Sequence, residues 1–412
     1  MSYPYGQPGY GQGPYGGRVS VSSLVNPWGI TVVIYDKNWL PKGFYQTGSG
    51  TLMGVEFSHD ENGCLDFTLH FGTYANLIKG DLIKIYVFDV EDPFYTGVVR
   101  RVPLFGSTAQ TYDYAGYGLN DYLVRLNSGE LTYSSQTIAY IIGQFAAIMT
   151  ASGKITVNPI KIVAPTTVVT QIKFHYVTLS DALSNVQKIA NADGNDYLYG
   201  IDEAGEFFFR PRRTDTIVTL IQGVNARYGL EHYEPKDGSQ EPVTKLHVFK
   251  SDGTFFADYT TTDGTLDVNE QKLTAPDGLS TADIPSWALG QLLILQQSPI
   301  EATVDWHVWR QQPLRLFGDG YVRVICNRPP TTKNVSSTAW GAGAWGAGYW
   351  GGAPAYTGYA RDDTLKVKKV VYKFTGSMAE RTMELGALPI QLDREMIKIN
   401  KNIEDLRVSS GR

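Results

Sequence analysis

GDLIKIYVF at residues 80–88, answered across a Pro-containing loop by FYTGVVRRV at 94–102, decides the fold. Short runs rich in Val, Ile, Tyr and Phe, bounded by Gly, Asp and Pro, read as strands of a barrel or sandwich. Upstream, ITVVIY at 30–35 and the alternation CLDFTLHF at 64–71 have the same character, so a first β domain is predicted over 28–110.

Downstream the same opening recurs. Gly318-Asp319-Gly320 leads into YVRVIC at 321–326, which LKVKKVVYKF at 365–374 answers. The repetition predicts a second, similar β domain over 215–388. It also holds VTKLHVF at 243–249, IEATVDWHVW at 300–309 and a helix capped by Asp283 that carries Trp287, Leu292, Leu293 and Leu295. Between the two, Ile138, Ile141, Ile142, Phe145 and Met149 recur at helical spacing after the cap candidates Ser134 and Ser135, giving a small helical domain at 111–154. An α+β unit at 155–214 follows. Thr178 and Asp181 have capping-box spacing ahead of the stripe Leu179, Ala182, Leu183, Val186, Ile189 and Ala190, and YLYGIDEAGEFFFRPR reads as two strands around a turn at 202–205. The expected class is mainly β with α+β inserts.

The 412 residues exceed one hydrophobic core and call for two to four packed units. Two cysteines, Cys64 and Cys326, exclude a disulfide scaffold and a Cys-built zinc site. A net charge of −5 argues against a dedicated phosphate-backbone binder. The longest apolar run, residues 139–149, is far short of the roughly 20 a bilayer span needs. The unusual counts are Gly 43 and Tyr 26, and the surplus has two stores. One is an N-terminal extension at 1–27 that opens MSYPYGQPGYGQGPYGG, which resembles no signal peptide and cannot build a core. The other is a Trp/Gly-rich loop at 339–358, where Trp340, Trp345 and Trp350 fall five residues apart.

Chemistry-bearing motifs are sparse. His59, His70, His175, His232, His247 and His307 stand singly, without the spacing of a helical metal site, and there is no nucleophile elbow. Two Gly-x-Gly-x-x-Gly matches, from Gly11 and Gly341, lack the strand-to-helix context of a dinucleotide site. Residues 191–196 read as a helix stop rather than a calcium loop. Arg210, Arg212 and Arg213, and Lys366, Lys368, Lys369 and Lys373, read as solvated faces or guards of edge strands. No catalytic, cofactor-binding or metal-ligating residue is predicted, and the chain is not read as an enzyme.

After Pro389, Leu392, Met396, Ile399, Ile403 and Leu406 are spaced four, three, four and three, the heptad seam expected of a C-terminal coiled-coil helix at 389–412, with an ordinary amphipathic helix as the alternative. Isoleucine at both Ile399 and Ile403 leans away from a dimer.

The order of these parts resembles the baseplate-hub or tail-tip hub proteins of tailed bacteriophages and contractile injection systems. The resemblance covers about 28–406. It rests on the Gly80-Asp81 strand with FYTGVVRRV, on YDYAGYGLNDYLVRL at 112–126, on TLSDALSNVQKIA leading to DYLYGIDEAGEFFFRPR, and on the closing TMELGALP before a helical tail. It implies two tube-like β-barrel domains separated by two smaller ones, and a homotrimer whose six β domains mimic a sixfold ring. It implies a structural role at the distal end of the tail in the virion, closing the sixfold tube, joining a threefold spike or fibre, and leaving a path for DNA without specific binding. Partners would be tail-tube or distal tail proteins and spike, fibre or other baseplate proteins. The N-terminal extension is expected to lie along a neighbouring protein with Tyr3, Tyr5, Tyr10 and Tyr15 as anchors. Trp340, Trp345 and Trp350 are expected to pack on another tail-tip protein, with host-envelope contact as the second reading. The competing class for the whole chain is a receptor- or glycan-binding, even glycan-degrading, tail protein.

Overall fold

The structure is a computed structural model. It describes residues 29–48, 50–88, 91–103, 111–193, 195–222, 230–237, 242–261, 268–295, 300–307, 320–326, 361–375 and 378–386. The chain opens with β1 (Ile30–Tyr35), β2 (Pro41–Gln46), β3 (Leu52–Asp60), β4 (Gly63–Phe71), β5 (Leu82–Val87), β6 (Tyr95–Arg101) and β7 (Tyr112–Gly118). A mixed stretch follows, with α1 (Asn120–Arg125), β8 (Glu130–Thr137), α2 (Ile138–Ala151), β9 (Thr156–Ile162), β10 (Val168–His175), α3 (Leu179–Ala190), β11 (Tyr197–Ile201) and β12 (Glu206–Pro211). The remainder runs β13 (Thr216–Gln222), β14 (Leu230–Asp237), β15 (Lys245–Phe249), β16 (Phe255–Thr260), β17 (Glu270–Thr274), α4 (Ile284–Leu295), β18 (Ile300–His307), β19 (Tyr321–Cys326), β20 (Arg361–Thr375) and β21 (Met378–Leu385).

The chain is mainly β, as expected. Where two separate β-barrel domains are expected, strands from both regions instead share one sheet, ordered β14-β18-β21-β20-β3-β4-β7-β6-β5-β1-β2. Among the described residues this path is open, ending at β14 and β2. It fuses because β20 lends one edge to β21 and the other to β3.

Inside that path a five-strand unit occurs twice, as β3-β4-β7-β6-β5 and as β14-β18-β21-β20-β19. The registers agree at most positions, although β3 on β4 slips between Phe57 and His59 where β14 on β18 does not. Leu82 pairs with Val98, and Tyr321 with Lys366. Next along each strand, the Val99 amide donates to the Asp81 carbonyl, and the Val367 amide to the Gly320 carbonyl, at 2.8 and 3.0 Å. The register of β6 on β7 slips between Val99 and Arg101, and that of β20 on β21 slips between Val367 and Lys369. Beyond the slip, Thr68 sits between Ala115 and Glu56, as Thr303 sits between Glu384 and Glu234. Bulges recur at equivalent places when they belong to the architecture. The duplication is therefore real, but its Gly-Asp signature is one residue out of step, because Leu82 matches Tyr321 and hence Asp81 matches Gly320. Beyond the unit the repeats diverge, β1 lying antiparallel to β5 and β13 parallel to β19.

Both units bury one face in a single core. Ile83, Ile85, Leu69 and Val99 from the first meet Val322, Val324, Val304 and Val367 from the second. A second core joins α2, α3, β11 and β12 to β15 and α4, so the insert between β14 and β18 packs on the middle of the chain.

The local signals divide. Thr178 caps α3 reciprocally, accepting the Asp181 amide at 3.1 Å and donating to its carboxylate at 2.7 Å. The cap of α2 is Thr137, not Ser134 or Ser135, which lie in β8. Asp283 precedes α4, but its carboxylate accepts the amides of Thr170 and Gln171 at 3.1 and 3.0 Å and so ties the insert to β10 instead of capping the helix.

Candidate functional site

The fused sheet presents one apolar and one polar face across the junction between the repeats. On the buried side Phe57 stacks on Tyr372 at 4.9 Å between ring centroids, with Phe374 beside it at 5.9 Å, and the Arg381 guanidinium lies 4.8 Å over the Tyr372 ring. His59 meets Phe57, Tyr95 and Tyr372 edge-on. Aromatic pairs of this kind add about 0.5–1.5 kcal/mol each beyond the area they bury, so the joint is a packed core and not a loose contact.

On the opposite side, the strand pairing brings residues, most of them polar, into rows that cross the strands. One row runs Glu380, Lys373, Glu56, Thr68, Ala115, Arg101 over β21, β20, β3, β4, β7 and β6. Lys373 thus stands between two carboxylates, one from each repeat. Opposite charges placed directly across strands contribute roughly 0.2–1 kcal/mol per pair. A parallel row carries Thr375, Gly54, His70 and Asp113, with the His70 ring 2.8 Å from the Asp113 carboxylate. Over β21, β20, β3, β4, β7 and β6, six carboxylates of the described residues on this face (Glu56, Asp60, Asp66, Asp113, Glu380, Glu384) outnumber three fixed cations (Arg101, Lys369, Lys373). The face is therefore net negative with interspersed signs. A recess in it holds about 60 Å³ between Glu56, Ser58, Asp66, Thr68, Lys369 and Val371. That is well below the roughly 300 Å³ at which small-molecule pockets begin.

A buried ionic knot fixes the middle of the chain to this joint. Arg212, just after β12, has a side chain only 4% exposed. It pairs with Glu61 in the β3–β4 turn and, at 2.7 Å, with Asp196, which also takes Lys366 of β20 at 3.1 Å. Burial opposes the Arg212 charge, yet Glu61 and Asp196 outweigh it and hold its pKa above the ordinary value. Burial likewise raises the Asp196 carboxyl, but Arg212 and Lys366 win and keep it below its usual range. Arg212 and Lys366 are thus not solvated faces, and β20 is not an edge strand for lysines to guard. Gly200 allows the close approach, since a Cβ there would lie 1.8 Å from the Asn62 carbonyl oxygen.

The Gly80-Asp81 pair earns its place locally. Gly80 has a φ of +92°, which favours glycine. The buried Asp81 carboxylate accepts the Ile78 amide at 2.9 Å and pairs with Lys42 of β2 at 2.6 Å. Asp121 does the same for α1, held by Arg100 of β6 and by Arg125 at 2.7 Å.

The residues assigned to partners from sequence all fall outside the described residues: Tyr3, Tyr5, Tyr10 and Tyr15, Trp340, Trp345 and Trp350, and Leu392, Met396, Ile399, Ile403 and Leu406. Sequence reading missed Glu56, Glu380 and Glu61. The signal of Glu56 and Glu380 was a carboxylate at a strand position facing Lys373, visible only once the register is known, and that of Glu61 was its place in a turn facing Arg212. Among the described residues no cluster of three His, Cys, Asp or Glu is placed to hold a metal ion, and no helix is long and apolar enough to cross a membrane.

The fold has its likeness among solved phage tail proteins. The chain resembles a tail protein from Neisseria meningitidis MC58, with a TM-score of 0.58 at 13% identity over 87% of this chain and 96% of that one. It resembles equally the 43 kDa tail protein of prophage MuSo2 from Shewanella oneidensis, at 0.58 and 14% over 86% and 98%. Prophage tail protein gp18 from Listeria monocytogenes EGD-e matches at 0.51 and 11%, over 89% and 98%. No protein-family model matches the sequence, and neither does any curated protein. The mainly β fold expected from the hub resemblance thus has its likeness among solved phage tail proteins.

Proposed function

We propose that the chain is the structural hub at the distal end of a phage-type tail, a homotrimer that closes the sixfold tube and passes to a threefold spike or fibre. The observation that carries the reading is the duplication. Two similar β units per chain, side by side in one sheet, let three chains offer six similar units to a sixfold partner while keeping their own threefold axis. The polar face of the fused sheet then lines the axial path. Its surplus of carboxylates repels phosphate, so DNA passes without being held. Tail-tube or distal tail proteins would meet one end of the ring, and spike, fibre or other baseplate proteins the other. The heptad seam, the tryptophan loop and the tyrosine anchors enter this proposal on sequence grounds alone.

Imaging of assembled particles with this chain tagged tests the reading. Density on the tail axis with threefold symmetry is expected. Density on lateral fibres, or release of sugars from host envelopes by the purified chain, would replace the hub with a receptor- or glycan-directed tail protein.

A further inference from the structure

We propose that the insert between β14 and β18 carries a proton-operated clip. In it a doubly protonated His247 on β15 holds β16 and β17 together across the outer face of their sheet, and lets one of them go when the ring loses a proton.

The middle strand of this sheet is β15, antiparallel to β16 and parallel to β17. Leu246 and Val248 are buried in the core shared with α4, so alternation turns Lys245 and His247 outward. By register His247 lies opposite Asp258 of β16, and its Nδ1 is 2.7 Å from that carboxylate. Its Nε2 is 2.7 Å from the Glu270 carboxylate of β17. A neutral imidazole has a single N–H, and an ionised carboxylate can only accept. Two such contacts on one ring therefore call for the imidazolium, which donates to both.

The other charges that face the ring fit this state. The Lys245 amine is 3.0 Å from Asp258 and 3.9 Å from Glu270, so with His247 charged two cations balance two carboxylates. Lys272 of β17 lies across from His247 in register and sets its amine 4.5 Å over the Phe249 ring. Hydrogen bonds from Lys245 and His247 hold the Asp258 carboxyl below its usual range, which keeps the extra proton on the ring. Glu270 and then Asp258 raise the His247 pKa above its ordinary 6.5. The ring is 31% exposed and exchanges its proton with solvent without unfolding.

A group with a raised folded pKa contributes its stability below the unfolded value and loses it as pH rises through the folded one. The clip is therefore closed below pH 6.5 and opens as pH climbs past the raised value. Either neutral tautomer leaves one ring lone pair facing a carboxylate. The Thr244 amide still donates to the Asn269 carbonyl at 2.8 Å, a tie between the starts of β15 and β17 that does not titrate. The sheet thus loosens rather than unfolds.

The full-length chain with isotope-labelled histidine, followed by NMR from about pH 5 to about pH 9.5, tests this, with H247Q assigning the signal. At about pH 6 both ring nitrogens of His247 should carry protons, and the midpoint should lie above 6.5 and fall in E270Q and in D258N. Hydrogen exchange of peptides covering β15 to β17, corrected for intrinsic rates, should show protection falling roughly two- to fivefold across that midpoint, the worth of one cross-strand pair. H247Q should remove the step. A His247 midpoint at or below 6.5, a raised midpoint with no step in protection, or the same step in H247Q overturns the clip.

Discussion

Replacing Arg212 by methionine removes the cation at the centre of the ionic knot while keeping its length and much of its packing. Two carboxylates are then exposed to different fates. Asp196 keeps Lys366 at 3.1 Å and is partly solvated, its side chain 25% exposed. Glu61 is 9% exposed, and its second oxygen, Oε1, has no hydrogen-bond partner among the described residues, so it is left as a buried charge. Removing one member of a buried ion pair costs about 3–5 kcal/mol. Because only one of the two acids is stranded, the lower end, about 3 kcal/mol, is expected. With a urea slope of about 3 kcal/mol/M, the unfolding midpoint drops by roughly 1 M. Adding E61Q neutralises the stranded acid and should recover about 1–2 kcal/mol in the R212M background, although E61Q alone destabilises the parent. A loss below about 1 kcal/mol in R212M, or no recovery on adding E61Q, refutes the view that this knot holds the middle of the chain on the repeat joint.

Other outcomes follow from the same geometry. G200A places a methyl group 1.8 Å from the Asn62 carbonyl oxygen and should cost about 3 kcal/mol by overpacking, with faster proteolysis in the β3–β4 turn as the readout. K373E sets three carboxylates in one cross-strand row and should destabilise by about 1 kcal/mol at low salt, the loss shrinking as sodium chloride is raised. Asp196 has a folded pKa below its ordinary 3.8, so the stability it confers is present above about pH 4 and is lost as pH falls through the depressed value. The urea midpoints of the parent and D196N should therefore differ at pH 6 and converge as pH is lowered towards 3. A constant gap across that range contradicts the assignment.

Strands buried on one face and rich in β-branched residues were legible as sequence. ITVVIY is β1, YVRVIC is β19, and LIKIYV is β5 to the residue. β3 was not, because its burial follows no alternation; Val55, Phe57, Ser58 and His59 are all enclosed where β20 covers the edge. β14 hides for another reason, since LEHYEPKD is mostly polar and carries a proline. The duplication showed through a Gly-Asp coincidence that is one residue off, whereas the evidence for it lies in matching bulges. Bulges are written in backbone pairing, which no composition reports. The polar wall was illegible because its pairing of Lys373 with Glu56 and Glu380 spans residues more than 300 apart in one case and sits across a hairpin in the other.

The joint between the repeats also sets an order of events during synthesis. Asp60 meets Lys369 only after 309 further residues have been made, which at about 5–20 residues per second takes roughly 15–60 s. Through that interval the first repeat holds an open β3 edge, with Val55 and Phe57 awaiting Tyr372 and Phe374. Pairings this distant fold slowly and leave chains prone to association. A nascent or truncated chain that ends before β20 is therefore a sticky half-unit, and a second β14 or β20 from a neighbouring polysome would be its nearest wrong partner.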